Sequence, residues 1–262
     1  MIQRSRPRTC PQNALGVKME NALLIGLTRQ ITLKREMAIV ANNLANANTT
    51  GFKAEQPLFE EYLMPVARDD SPNKRLSFVL DQGIHRNLAD GGLKTTDNPM
   101  DFAISGDGFF KVQTPEGIRY TRNGHFQLDA TGRLVTDNGD PLLAEGDAPV
   151  FFSPEETSIE VASDGTISTE LGERGKLTVV AFDNPRDMKK TGNNMLETDQ
   201  PEIEAQNTRI IQGALESSNV NSIEEMTRMI DVLRSYTSAA KLVEQADEMK
   251  RRAIQELGGR NN

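Results

Sequence analysis

The sequence predicts an α+β protein, with long N- and C-terminal helices that pair as a coiled-coil-like assembly domain and a central antiparallel β-rich domain. Three observations carry this reading. An apolar periodicity free of proline runs from Glu20 to Ala47, a second runs from Ile223 to Leu257, and the chain between them alternates short apolar runs with Asp-Gly and Asn-Gly pairs.

In the first helix, Leu24, Leu27, Ile31, Ala38, Ala41 and Ala45 follow alternating steps of three and four, with Lys34 in the remaining slot. Such spacing places one side chain per turn on a single stripe. Leu33, Met37, Val40 and Leu44 draw a second stripe beside it, wider than a two-stranded coil needs, which predicts more than one neighbouring helix. The pattern runs out in Ala41-Asn42-Asn43-Leu44-Ala45-Asn46-Ala47-Asn48-Thr49-Thr50-Gly51-Phe52-Lys53. Asn and Thr side chains compete for backbone groups, and Gly51 tolerates a left-handed conformation, so this segment is expected to end the helix at a crowded corner.

The second helix is expected to start near Ile223, because Ser222 and Glu225 have capping-box spacing. One of its stripes runs Ile223, Met226, Ile230, Leu233, Thr237 and Ala240. Another runs Met229, Val232, Tyr236, Ala239, Val243, Ala246, Ala253 and Leu257, with Lys250 in the gap, until Gly258-Gly259. Such a helix spans roughly 50 Å and should project from a compact domain.

Between the helices, residues 109–112, 126–128, 134–136, 166–168 and 177–182 read as strands, punctuated by Asp107-Gly108, Asn123-Gly124, Thr131-Gly132, Asn138-Gly139 and Asp164-Gly165. These pairs tolerate the positive φ of tight hairpin turns. The expected layout is a flexible basic leader (1–18), an N-terminal assembly helix and motif (19–53), an extended connector (54–82), a β-rich domain (83–200), a return connector (201–221), a C-terminal assembly helix (222–258) and a tail (259–262).

The formal charge of −8 conceals a split. Arg4, Arg6, Arg8 and Lys18 lie in a leader without acids, which leaves 26 of the 30 bases against 38 acids in the remainder. An acidic body argues against duplex nucleic acid and anionic membrane as partners, since both require a basic footprint. Cys10 is the only cysteine, so neither an intrachain disulfide nor a cysteine-based zinc site is available. No run reaches the roughly 20 apolar residues of a membrane span, and the leader lacks a signal-peptide core. Met19 opens the helical pattern, so residues 1–18 are expected to derive from an upstream start. Few aromatic anchors, with no Trp, lean towards folded parts completed by neighbours.

No catalytic, cofactor or metal site is expected. His85 and His125 have no companion at ligand spacing and read as loop residues. Ser105-Gly106-Asp107-Gly108 precedes a strand where a phosphate loop requires a helix, and reads as a hairpin turn. Asp137-Asn138-Gly139-Asp140 lacks the spaced acids of a calcium loop, and Met226 and Met229 sit at core spacing. There is no Gly-x-Ser-x-Gly nucleophile elbow.

The N-terminal motif Ala41 to Lys53 resembles the signature of bacterial flagellar rod and hook proteins. Three further segments agree in order: Asn98 to Phe110, Tyr120 to Phe126, and Gly213 to Asn221 followed by Glu225-Met226, Met229-Ile230 and Arg234-Ser235-Tyr236. Within the family the opening Met19 to Gln30 is similar to a proximal-rod member; Thr237 departs from the pattern, standing where many relatives carry Glu. The resemblance implies a non-enzymatic structural subunit of the basal-body rod, a periplasmic drive shaft for motility. It implies export by the flagellar type III apparatus without a cleaved signal peptide, and partners that are other rod proteins and copies of itself. A distal-rod or hook-family subunit is the alternative within the family, and a secreted fibre or adhesin module the alternative outside it. The expected assembly interface comprises Leu24, Leu27, Ile31, Ala38, Ala41, Asn42, Asn43, Leu44, Ala45, Asn46, Thr49, Thr50, Gly51 and Phe52 at the N-terminal end. At the other end it comprises Asn219, Val220, Asn221, Met226, Met229, Ile230, Leu233, Tyr236, Ala240 and Val243.

Overall fold

A computed structural model describes residues 13–65, 75–153, 156, 158–206 and 208–258. The chain forms two compact units. Among the described residues, the first comprises 13–41, 56–65, 75–84 and 223–258, and the second those within 42–55 and 85–222.

The first unit contains α1 (Asn13–Ala45), whose last turn enters the second unit, and α2 (Ser222–Gly258), with a two-stranded sheet of β1 (Glu55–Pro65) and β2 (Arg75–Arg86). The stretch expected as a connector is thus largely paired strand. Helix α1 begins at Asn13, inside the expected leader, whereas residues 1–12, including Cys10, lie outside the described residues. The two helices run antiparallel. Gly26 of α1 lies against Val243 of α2, while Glu36, further along α1, accepts two hydrogen bonds from Arg228, near the start of α2, at 2.9 and 3.1 Å. A Cβ on residue 26 would stand 2.7 Å from a Val243 methyl, so glycine at this position permits the close approach.

The second unit carries β3 (Leu93–Thr95), β4 (Phe102–Ser105), β5 (Phe109–Thr114), β6 (Gly117–Thr121), β7 (Gln127–Leu128) and β8 (Leu134–Val135). There follow β9 (Ile159–Val161), β10 (Thr166–Thr169), β11 (Gly172–Lys176), β12 (Val179–Ala181), β13 (Lys189–Gly192) and β14 (Met195–Glu197). The last are β15 (Ile203–Glu204), β16 (Arg209–Gln212) and β17 (Ala214–Glu216). These last strands occupy the segment expected as a return connector. A six-stranded antiparallel sheet in the order β13-β14-β6-β5-β12-β15 is central; β11-β10-β9 form a three-stranded sheet, and β16-β4, β17-β3 and β7-β8 form pairs.

Strand alternation gives the central sheet a core on each face. Phe110, Val112 and Met195 pack with Phe102, Phe126, Leu134 and Ile167, whereas their neighbours Phe109 and Leu196 pack with Tyr120, Val180 and Phe182. The residue pairs ending in glycine divide by role. Those at Asp164-Gly165, Thr131-Gly132 and Asn138-Gly139 turn hairpins, closed by backbone bonds such as Gly165 N to Ala162 O at 2.9 Å. Asp107-Gly108 does not: β4 pairs with β16, so the segment crosses between sheets because β5 finds its partners in β6 and β12. Nor does Asn123-Gly124, where Gly124 abuts the Phe102 carbonyl instead of turning a hairpin.

Candidate assembly surfaces

The two stripes on each helix have different environments. On α2, Val232 and Ala239 are buried and Met229, Tyr236, Val243 and Ala246 half-buried, with Val243 against Gly26. The other stripe is open: Ile223 is 73% exposed, Ile230 52%, Leu233 48% and Met226 46%. On α1, Val40 is buried and Leu33, Met37 and Leu44 half-buried, whereas Ile31 is 62% exposed and Leu24 and Leu27 each 50%. Ala38, Ala41 and Ala45 continue this open stripe, and Ala240 on α2 is half-buried. Each helix therefore uses one apolar stripe inside the chain and leaves the other in solvent. An exposed stripe of this kind is the signature of an interaction face.

The asparagine-rich motif ends the helix through its own side chains. Helix α1 ends at Ala45, six residues before Gly51, because Asn46 takes over the closing bonds: its backbone N–H reaches the carbonyls of Asn42 and Asn43, and its side chain donates to Asn42 O at 2.9 Å. Thr49 donates to Asn46 Oδ1. Asn43, 1% exposed, bonds Glu55 twice, donating to its carbonyl at 2.8 Å and accepting from its N–H at 2.9 Å. Asn43, Gly51 and Phe52 are buried within the second unit, whereas Asn42 is exposed and Leu44, Thr49 and Thr50 are half-buried.

The C-terminal signature meets this motif. Gly51 N–H donates to Glu216 O at 2.8 Å, and Asn219 accepts from Ala54 N–H at 2.7 Å while its amide donates to the carbonyls of Asn87 and Ala89, both at 2.9 Å. Asn219 thus ties the C-terminal signature to two other chain segments; Val220 is half-buried and Asn221 exposed. Behind it lies a network that sequence reasoning missed. Glu216, 1% exposed, accepts from Lys53 Nζ at 2.6 Å, from Gly91 N–H at 2.9 Å and from Arg122 at 3.3 Å; Lys53 also donates to Ala89 O, and Arg122 to Gly106 O. Burial pulls the Lys53 ammonium below the ordinary lysine range, and its bond to Glu216 acts in the opposite direction. The only hint in the sequence is that Lys53 closes the first terminal signature and Glu216 lies within the second.

Residues 103–169 match the family described as "Flagellar hook protein FlgE/F/G D1 domain", residues 211–256 "Flagellar basal body rod FlgEFG protein C-terminal", and residues 23–53 "Flagella basal body rod protein". The chain is 40% identical over 245 residues to the flagellar basal-body rod protein FlgF of Caulobacter vibrioides, covering 92% of this chain and 99% of that protein. The chain belongs to the flagellar basal-body rod family, of FlgF type. It is 33% identical to FlgF of Mesorhizobium japonicum, over 93% of this chain and all of that protein. FlgG of Buchnera aphidicola subsp. Acyrthosiphon pisum is 34% identical over 84% of this chain and 93% of its own length. The two terminal matches contain the open helix stripes and the junction of the two signatures, and the central match covers part of the β unit.

The histidines have ordinary surroundings. His125 Nδ1 lies 2.7 Å from Asp101 Oδ1, and Asp101 also accepts from Thr96 and Asn98, so the cluster ties a loop to the β unit. Among the described residues no group of three or more His, Cys, Asp or Glu could hold a metal, and no helix is long and apolar enough to cross a membrane.

Proposed function

We propose that this chain is a structural subunit of the flagellar basal-body rod and polymerises through the open stripes of α1 and α2. Its membership in the rod family supports the structural role and its association with other rod components; the family is not enzymatic. The observation that carries the assembly reading is the open stripe itself, with Leu24, Leu27 and Ile31 on one helix and Met226, Ile230 and Leu233 on the other half or nearly half exposed. Burying a side chain of this size is worth about 1.5–3 kcal/mol. Contacts with copies of itself and with other rod proteins cover both stripes, and a heterologous contact that does not close generates a helical tube. Proximal-rod placement follows the relatives named FlgF, and a periplasmic location and export through the type III apparatus complete the reading.

Because these side chains are already in water in the free subunit, a charge there spares the fold. Ile31→Asp and Ile230→Asp are expected to leave the unfolding midpoint of the purified chain within about 0.5 kcal/mol of the parent and to remove the protein from isolated basal bodies. Normal incorporation of both variants, with normal swimming, would sink the proposal.

A further inference from the structure

We propose that the second unit binds one small monovalent anion of halide size in a cavity lined by Arg122, Arg86, Lys53, Lys190 and Phe52. The cavity measures about 20 Å³, room for one atom-sized guest and too little for sulfate or phosphate. Its polar lining consists mostly of donors. Lysine and arginine offer N–H groups and no acceptor, so an anion can take all its contacts from them, whereas a water molecule would also need somewhere to donate.

Charge and hydrogen bonding point the same way. Four cations line the cavity with a single carboxylate, Glu55, which already accepts from Lys190 at 3.2 Å. Glu216 neutralises one more of them through its bonds to Lys53 and Arg122, and half-exposed Asp90 approaches these two only to 3.9 and 3.6 Å. Even with Asp90 counted in full, one positive charge is unmatched among the described residues. Arg122 is 6% exposed, and its Nε–H is buried with no acceptor among the described residues, a rare and costly state for a native donor. Burial pulls both Arg86 and Lys53 below their ordinary ranges, consistent with too little counter-charge around them. Lys190, with 32% of its side chain exposed, sits where a guest can enter.

The cavity is also lined by Gly51 and Phe52, so the bound anion fastens the N-terminal motif to the β unit. A guest that binds only the folded state stabilises it by mass action. Thermal unfolding of the full chain in sodium chloride should show a saturable rise in the midpoint of roughly 5 °C relative to sodium gluconate at equal ionic strength, gluconate being too large for the site. Lys190→Gln should raise the half-saturating chloride concentration by about tenfold. That displacement corresponds to loss of one charge-assisted contact. Crystals grown in sodium bromide should show an anomalous peak in the cavity within about 3.5 Å of a side-chain nitrogen of Arg122, Arg86, Lys53 or Lys190. Equal midpoints in chloride and gluconate, a chloride effect untouched by Lys190→Gln, or no bromide peak in the cavity would each overturn the assignment.

Discussion

Gly51 and Gly124 show how much a single residue can decide in this protein. Gly51 has φ +65°, and a Cβ there would stand 2.4 Å from the Arg122 carbonyl; Gly124 has an ordinary φ, but a Cβ would stand 1.6 Å from Phe102 O. Neither neighbour can move, since both are backbone. Gly124→Ala is expected to cost about 2–4 kcal/mol by urea unfolding. Lys111 and Tyr120 supply a pH prediction. Burial alone would lower Lys111, but its bonds to Asp147 and Glu202 outweigh burial and raise it; Tyr120 is raised first by burial and then by its 2.7 Å bond to Glu202. Both groups favour the protonated form in the fold, so their contribution is complete below the unfolded values near pH 10 and is lost as pH rises through the folded ones. The urea midpoint should therefore fall above about pH 10, and Tyr120→Phe should flatten that slope; a slope unchanged by the variant would refute the assignment.

At the scale of elements, the β13-β14 hairpin turns on Asn193-Asn194, both with positive φ (47° and 59°), the geometry of the two-residue turn that matches strand twist. Asn193→Ala should cost about 1–2 kcal/mol, the penalty for an ordinary side chain in that region, measured as a shift in the urea midpoint. Asp-Gly and Asn-Gly pairs do not mark this hairpin, because both of its central residues are asparagine. The helix pair has its own determinant. Gly26→Leu would force Val243 away from α1 and should lower the melting temperature of the helical signal, with an overpacking cost of about 1–3 kcal/mol. The hairpin chemistry of the second unit should be untouched by it.

For the whole molecule, the two units differ in what they bury. The second has a core on both faces of its main sheet, whereas the first leaves an apolar stripe of each helix in solvent. Helices with few buried contacts open at lower cost than packed strands. Heating should therefore give two transitions, with helical circular dichroism lost before the β signal; a single coincident transition would contradict this. Glu216 belongs to this scale because it joins segments 163 residues apart. Glu216→Gln would leave Lys53 and Arg122 with an uncompensated buried charge and should cost about 3–5 kcal/mol, read from the urea midpoint of the β transition.

The sequence by itself determined the two long helices, their doubled stripes and most of the β5, β8, β10 and β12 strands, because periodicity and turn chemistry are local. It also carried the family, since the terminal motifs are contiguous. Which stripe faces inward was a tertiary decision: Ile230 and Val232 look alike in the sequence, and only packing leaves the first 52% exposed and buries the second. So was the membership of residues 42–55 and 201–222 in the β unit. Lys53, Arg122 and Glu216 read as ordinary charges along the chain, and they become a buried network only where three distant backbones converge and exclude the water that would otherwise solvate them.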